Sequence, residues 1–264
     1  MLNTDPGDMP SGAPIDELAL FHNGNIGILA TSNNSYNLDN ILTVGLTVTG
    51  GSDINNYFYQ DGDAGNNAII AFNSMSTQIL SNRIEAKNVS AYLMDTAIFV
   101  RGNSSSHDMR NNIISNFTEF RILSDNITNG STLMQNNETT RDVNPATIDE
   151  PFGIYIDAAS TNQEVEIYDN TIEKVETGIF IRNHEDATAT GNIIHFDKGA
   201  GEAVGIYVQN CEDKSVQANY AEGTCNTTTC AGSEVIAGYY VTNSVGMELK
   251  ENYSENAVIG YLIR

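Results

Sequence analysis

Tryptophan is absent from this chain and cations are scarce: 12 lysines and arginines face 34 aspartates and glutamates, for a formal net charge of −22. That balance repels duplex nucleic acid and anionic membranes, and no basic patch rescues either. Solubility of an extended β structure explains the acidity first, cation binding or a saline habitat second. Long apolar runs are missing as well, and no window approaches the ~18 residues that a spanning helix needs. Only 5 prolines occur, with Pro6, Pro10 and Pro14 clustered near the start. Residues 1–24 also lack the basic start and apolar run of a secretory leader, so they are expected to form an irregular N-terminal segment.

What the chain has instead is a recurring phrase. It reads GIYID at 153–157, GIFIR at 178–182, GIYVQ at 205–209, GYYVT at 238–242 and GYLIR at 260–264. An asparagine follows the glycine at a spacing of 14 in Gly178–Asn192, Gly205–Asn219 and Gly238–Asn252, and Ala68–Asn82 repeats that interval. Ala97–Asn112 and Gly153–Asn170 stretch it slightly. The distance from asparagine to the next glycine is free, at 8, 13, 19 and 8 residues over the last four turns. A fixed segment alternating with an elastic one describes a coil with rigid walls and one corner open to insertion. Within GIYID, alternation sends Ile154 and Ile156 to one face and Tyr155 and Asp157 to the other. One coil cannot bury its own apolar face, so coils with a period of 22 to 33 residues must stack. The chain is therefore expected to be an all-β solenoid of roughly nine coils over 25–264, about 40 Å long at ~4.8 Å per coil. The asparagines are expected at one corner of successive coils, where their amides bond one another and the turn backbone, helped by their tolerance of left-handed dihedrals. The glycines are expected where the backbone turns sharply.

The G-φ-x-φ strand, the N-x-φ corner and the single elastic loop together resemble the right-handed parallel β-helix of the pectate-lyase-like superfamily. The resemblance covers roughly 25–264 and implies a first strand at the glycine, a second before the asparagine and a third after it. It is specific for fold and not for activity, because the superfamily holds lyases, hydrolases, esterases, tailspikes and adhesin passengers. It implies an extracellular or cell-surface location. Because Arg264 falls inside a repeat strand, the chain also reads as a piece of a longer solenoid.

Three constellations are candidates for function. Phe99, Tyr155, Phe180, Tyr207 and Tyr240 are expected to point outward and stack, either as a ribbon for a glycan or partner or as neighbours stabilising the sheet. Two residues on lies a polar row, Arg101, Asp157, Arg182, Gln209 and Thr242. There the resemblance implies acids, bases and calcium ligands, with Asp157 as ligand and Arg182 as base. A plain ion pair between coils is the competing reading. Only one acid, Asp157, is found among these outward first-strand positions, and the histidines (His22, His107, His184, His195) look scattered. The third constellation is QDGDAGNN at 60–67, where Asp61, Asp63 and Asn66 offer a partial calcium loop or simply a turn.

Of three cysteines, Cys225 and Cys230 enclose CNTTTC and can close a short bridge, leaving Cys211 unpaired; three free thiols are the alternative. Residues 128–152 are expected to form the longest elastic loop. The leading expectation is a binding or scaffold segment of a larger protein, adhesin-like, with a glycan or a partner surface protein as ligand. It needs no cofactor, although calcium can contribute. A calcium-assisted lyase or hydrolase of acidic glycans is the first alternative, and a structural tailspike or filament segment the second.

Overall fold

A computed structural model describes residues 19–22, 26–31, 41–44, 56–60, 67–72, 76–86, 96–101, 106–117, 120–127, 130–140, 152–158, 163–197, 202–213, 215–224 and 236–264. Among the described residues there are 26 strands and no helix. They form three all-parallel sheets of 9, 9 and 8 strands, each strand pairing with its equivalent one coil away. This is a right-handed parallel β-helix. One coil runs through Thr177–Arg182 on the first wall, Asp186–Thr190 on the second and Ile193–Phe196 on the third, then returns to the first wall at Ala203–Gln209. Ala19–His22 already pairs with Asn56–Gln60 on the third wall, so the solenoid begins before the boundary expected at residue 25.

Alternation along each strand builds the core. Ile98, Ile122, Ile154, Ile179 and Ile206 are in register on the first wall, and all are buried. Ile156, Ile181, Val208 and Val241 form the next inward row, also buried as expected. Each fully buried aliphatic contributes about 1.5–3 kcal/mol, and stacking lets neighbouring coils share that burial.

The asparagines stack at one corner and bond one another as expected, but the left-handed dihedral is not theirs. Asn82, Asn112, Asn137, Asn170, Asn192 and Asn219 point inward and are buried. The left-handed residue is the one before each: Ser81, Asn111, Asn136, Asp169, Gly191 and Ala218. The buried amides tie a coil to the coils on either side. Asn170 donates from its backbone N and from Nδ2 to Asn192 Oδ1, at 3.0 and 2.9 Å, and from Nδ2 to the Met134 carbonyl at 2.9 Å. The ladder therefore satisfies backbone groups that a sharp turn leaves inside the wall.

The stretch 128–152 is not one long loop. It contains the strands Gly130–Gln135 and Glu138–Thr140, and with Phe120–Ile127 they complete a coil. Arg121 occupies the glycine's rung there, opposite Ala97 and Gly153. It is 0% exposed. Its guanidinium donates from Nη1 to the Glu173 carbonyl at 2.5 Å and from Nη2 to the Lys174 carbonyl at 2.9 Å. Lys174 is left-handed and sits in a register shift of the third wall, so Arg121 caps the carbonyls that this bulge turns inward.

A second buried polar residue is less well provided for. His107 is 2% exposed, neither ring nitrogen has a hydrogen-bond partner, and Thr77 and Thr132 flank it on the second wall. Burial pushes the imidazole down to about 3. A lowered folded value means that the unfolded chain takes up the proton first. The stability that neutral His107 contributes is thus complete above ~6.5 and lost as pH falls toward 3. Wild-type stability should fall up to ~1.4 kcal/mol per pH unit faster than that of His107→Leu over this interval. Equal slopes in chemical denaturation across pH would refute it.

Candidate functional site

The aromatic row stacks coil upon coil outside the core, with Leu123 between Phe99 and Tyr155. Ring centroids lie 5.1 Å apart for Tyr155–Phe180, which meet edge to face, and 4.6 Å for Phe180–Tyr207 and 4.5 Å for Tyr207–Tyr240, which stack. The last pair is tilted by only 11°, so these faces turn toward each other and not toward solvent. Phe180 and Tyr240 are 7% and 8% exposed. Tyr155 and Tyr207 are half-buried. Beside the row runs a second column: Phe152 packs its ring 5.3 Å from Tyr155, and Val204 and Ala237 cluster with Tyr240. Much of this ladder is sheet architecture, and the accessible part is ring edges and hydroxyls.

The polar row holds a second acid. Asp125 lies in register between Arg101 and Asp157, and Asp157 faces Arg182. Arg101 Nε sits 3.1 Å from Asp125 Oδ2. Arg182 donates from Nε to Asp157 Oδ2 at 3.0 Å and also from Nη2, while Asn183 Nδ2 donates to Oδ1 at 2.8 Å. Asp157 and Arg182 thus form an inter-coil ion pair. The hydrogen bond to Asp157 raises the guanidinium above its ordinary value, which makes Arg182 a poorer proton acceptor. The guanidinium also lies 5.9 Å from the ring centroids of Tyr155 and Phe180.

A polar cluster on the outer face of the third wall was not foreseen. Tyr220-Ala221-Glu222 pairs with Tyr253-Ser254-Glu255, placing tyrosine over tyrosine and glutamate over glutamate. Their rings stack at 5.6 Å. The Tyr220 hydroxyl lies 3.0 Å from Glu255 Oε2 and 3.2 Å from Glu222 Oε2. Partial desolvation, then these carboxylates, push that hydroxyl up to about 12. Glu222 is a hub: His195 Nδ1 is 3.0 Å from Oε2, and Asn256 Nδ2 donates to Oε1 at 3.2 Å. His195, Glu222, Gly223, Thr224 and Asn256 line an open pocket of about 420 Å³. Ile193, 44% exposed, and Tyr253, 57% exposed, flank it on the same wall. The available signal was the repeated Asn-Tyr-x-Glu at 219–222 and 252–255, since the ladder asparagine fixes which residues after it face out.

Cys211 is a buried thiol, outside any disulfide, directed at the Gln209 carbonyl at 3.3 Å, and its backbone N donates to Ser244 Oγ. Cys225, Cys230, Asp61, Asp63 and Asn66 lie outside the described residues. Among the described residues no group of three or more His, Cys, Asp or Glu side chains is arranged to hold a metal ion, and no helix is long and apolar enough to cross a membrane. No family model, curated protein or solved structure matches this chain.

Proposed function

We propose that this chain is a β-helical binding scaffold, extracellular or displayed at a cell surface, that holds a glycan against its polar outer rows. The likeness in repeat and fold to the adhesin-like passengers of the pectate-lyase-like superfamily supports that setting. The observation that carries the reading is how its outward carboxylates are engaged. Asp125 and Asp157 are held by arginines, and Glu222 and Glu255 by tyrosine, histidine and asparagine donors. Such groups accept hydrogen bonds well and move protons poorly. Binding to a glycan array by the intact protein, with no unsaturated product released from uronate polymers, is the expected result. A blank array would end the glycan reading.

The alternative is a calcium-assisted lyase or hydrolase of acidic glycans, favoured by Asp125 and Asp157 standing one coil apart in register. Release of unsaturated uronates, abolished in Asp157→Asn, would establish it in place of simple binding. Calcium has its own test. If Asp61, Asp63 and Asn66 coordinate the ion, the melting temperature rises with calcium by mass action, and Asp63→Ala removes the rise. An unchanged melt at millimolar calcium reduces that loop to a turn.

A further inference from the structure

Among the described residues, His195, Glu222, Gly223, Thr224 and Asn256 line a concavity on the outer face of the third wall. Its volume of about 420 Å³ falls in the range that holds a small organic ligand. Gly223 is an inward position whose Cβ would come 2.7 Å from the Asn256 carbonyl oxygen and 3.1 Å from the buried Phe196 ring, so the core requires glycine there, and only backbone borders the pocket at that point. Every side chain in the lining can hydrogen-bond, and none is lysine, arginine or a large hydrophobe.

The lining groups are also held in orientation. Glu222 takes hydrogen bonds from His195 and Asn256, with the Tyr220 hydroxyl 3.2 Å away. With Nδ1–H committed to Glu222, His195 keeps Nε2 as an acceptor. Asn256 keeps its amide oxygen and one N–H, and Thr224 offers a hydroxyl. Donors and acceptors therefore converge from several directions on one small open volume. Charge narrows the ligand class. Glu173, Glu222 and Glu255 share one outward row with His195, in an acidic chain. Phosphates, sulfates and uronates are disfavoured there. An apolar ligand would strand the polar lining.

We infer that this pocket binds a neutral, hydroxyl-rich sugar unit, and that it makes the protein select neutral over acidic glycans. The inference rests on the glycan-binding reading above. Sugar hydroxyls both donate and accept, so they match a mixed lining that an anion or a hydrocarbon cannot. The neighbouring Tyr220–Tyr253 stack adds apolar surface for the carbons of the ring or of an adjoining unit.

The test compares wild type, Glu222→Ala and a control, Glu164→Ala, which removes an exposed acid from the second wall. All three are applied to an array of neutral and uronate oligosaccharides, and their melts are checked. Wild type and the control should bind neutral oligosaccharides equally, and Glu222→Ala should bind them about tenfold more weakly or worse, as loss of a charged hydrogen-bonding group implies. Titrating the best neutral oligosaccharide into wild type should also move the His195 imidazole signal in NMR, a readout that needs no variant to fold. Undiminished binding by a natively melting Glu222→Ala, a still imidazole signal, or a preference for uronates overturns the pocket and leaves the scaffold reading standing. A blank wild-type array overturns the glycan reading itself.

Discussion

Asn192→Leu is expected to destabilise the protein by about 4 kcal/mol. The side chain it replaces is completely buried and makes four inter-coil contacts at ladder geometry. Asn192 Oδ1 accepts from the backbone N and the Nδ2 of Asn170, at 3.0 and 2.9 Å. Its Nδ2 donates to Asn219 Oδ1 and to the Ile167 carbonyl, both at 2.9 Å. Leucine has the same branching and number of side-chain heavy atoms but more bulk, so it leaves no cavity and the loss is chiefly polar. It strands two buried donors on Asn170, the backbone N–H and one Nδ2 hydrogen, and removes a hydrogen bond from the Ile167 carbonyl. Asn219 Oδ1 is spared, because the Asn192 backbone N still donates to it at 2.9 Å. Each stranded group costs roughly 1–3 kcal/mol, and in a stack where coils touch only their neighbours the damage opens the solenoid at that level. Urea denaturation followed by circular dichroism measures it. A loss under ~1 kcal/mol would mean that the ladder contributes little beyond shape.

The second large effect belongs to the glycine column. At Gly178 a Cβ would collide with Ile194 Cγ2 and lie 2.5 Å from the Gly205 carbonyl oxygen. Its φ is not in the left-handed region, so space excludes a side chain here and not dihedral angle. A carbonyl on the adjacent strand cannot move aside as a side-chain tip can. Gly178→Ala should therefore cost about 3 kcal/mol or more, as overpacking against rigid neighbours does. The same exchange at Gly260, where a Cβ meets nothing within 4 Å, should be neutral or slightly stabilising, because alanine narrows the unfolded ensemble. Equal melts for the two variants would show that close approach is not what keeps the column bare.

These two columns also account for how far the sequence could be read. Glycine and asparagine are forced at their rungs by contacts that almost no other residue satisfies, so they recur visibly and mark the coils. Where another solution exists, the mark vanishes. Arg121 occupies a glycine rung by running its guanidinium into the carbonyls of a third-wall bulge in the next coil, more than fifty residues on, and no local pattern announces a partner that distant in sequence. For that reason the strands at 130–140 fall inside the 128–152 stretch that reads as loop, and Asp125, on the strand that carries Arg121, goes uncounted. The first-wall candidates were legible as positions, since alternation fixes which side chains point out. Their exposure was not, because it depends on the flanking column of Phe152, Val204 and Ala237. The pocket around Glu222 was half legible: Tyr-x-Glu recurs after two ladder asparagines, but His195 joins it only through coil register.

The ladder has a direction as well as a strength. In all six links from Asn82 to Asn252 the lower coil donates and the upper coil accepts. The amides are oriented head to tail along the axis, so each link polarises the next. Such a file is polar: followed one way along the axis every amide presents its acceptor, and followed the other way its donor. Any strand of protein that extended the file would have to present the complementary group, and a reversed copy would bring like against like. The corner that holds each turn in place thus also imposes a vector on the tube, distinguishing one end from the other before any surface residue is consulted.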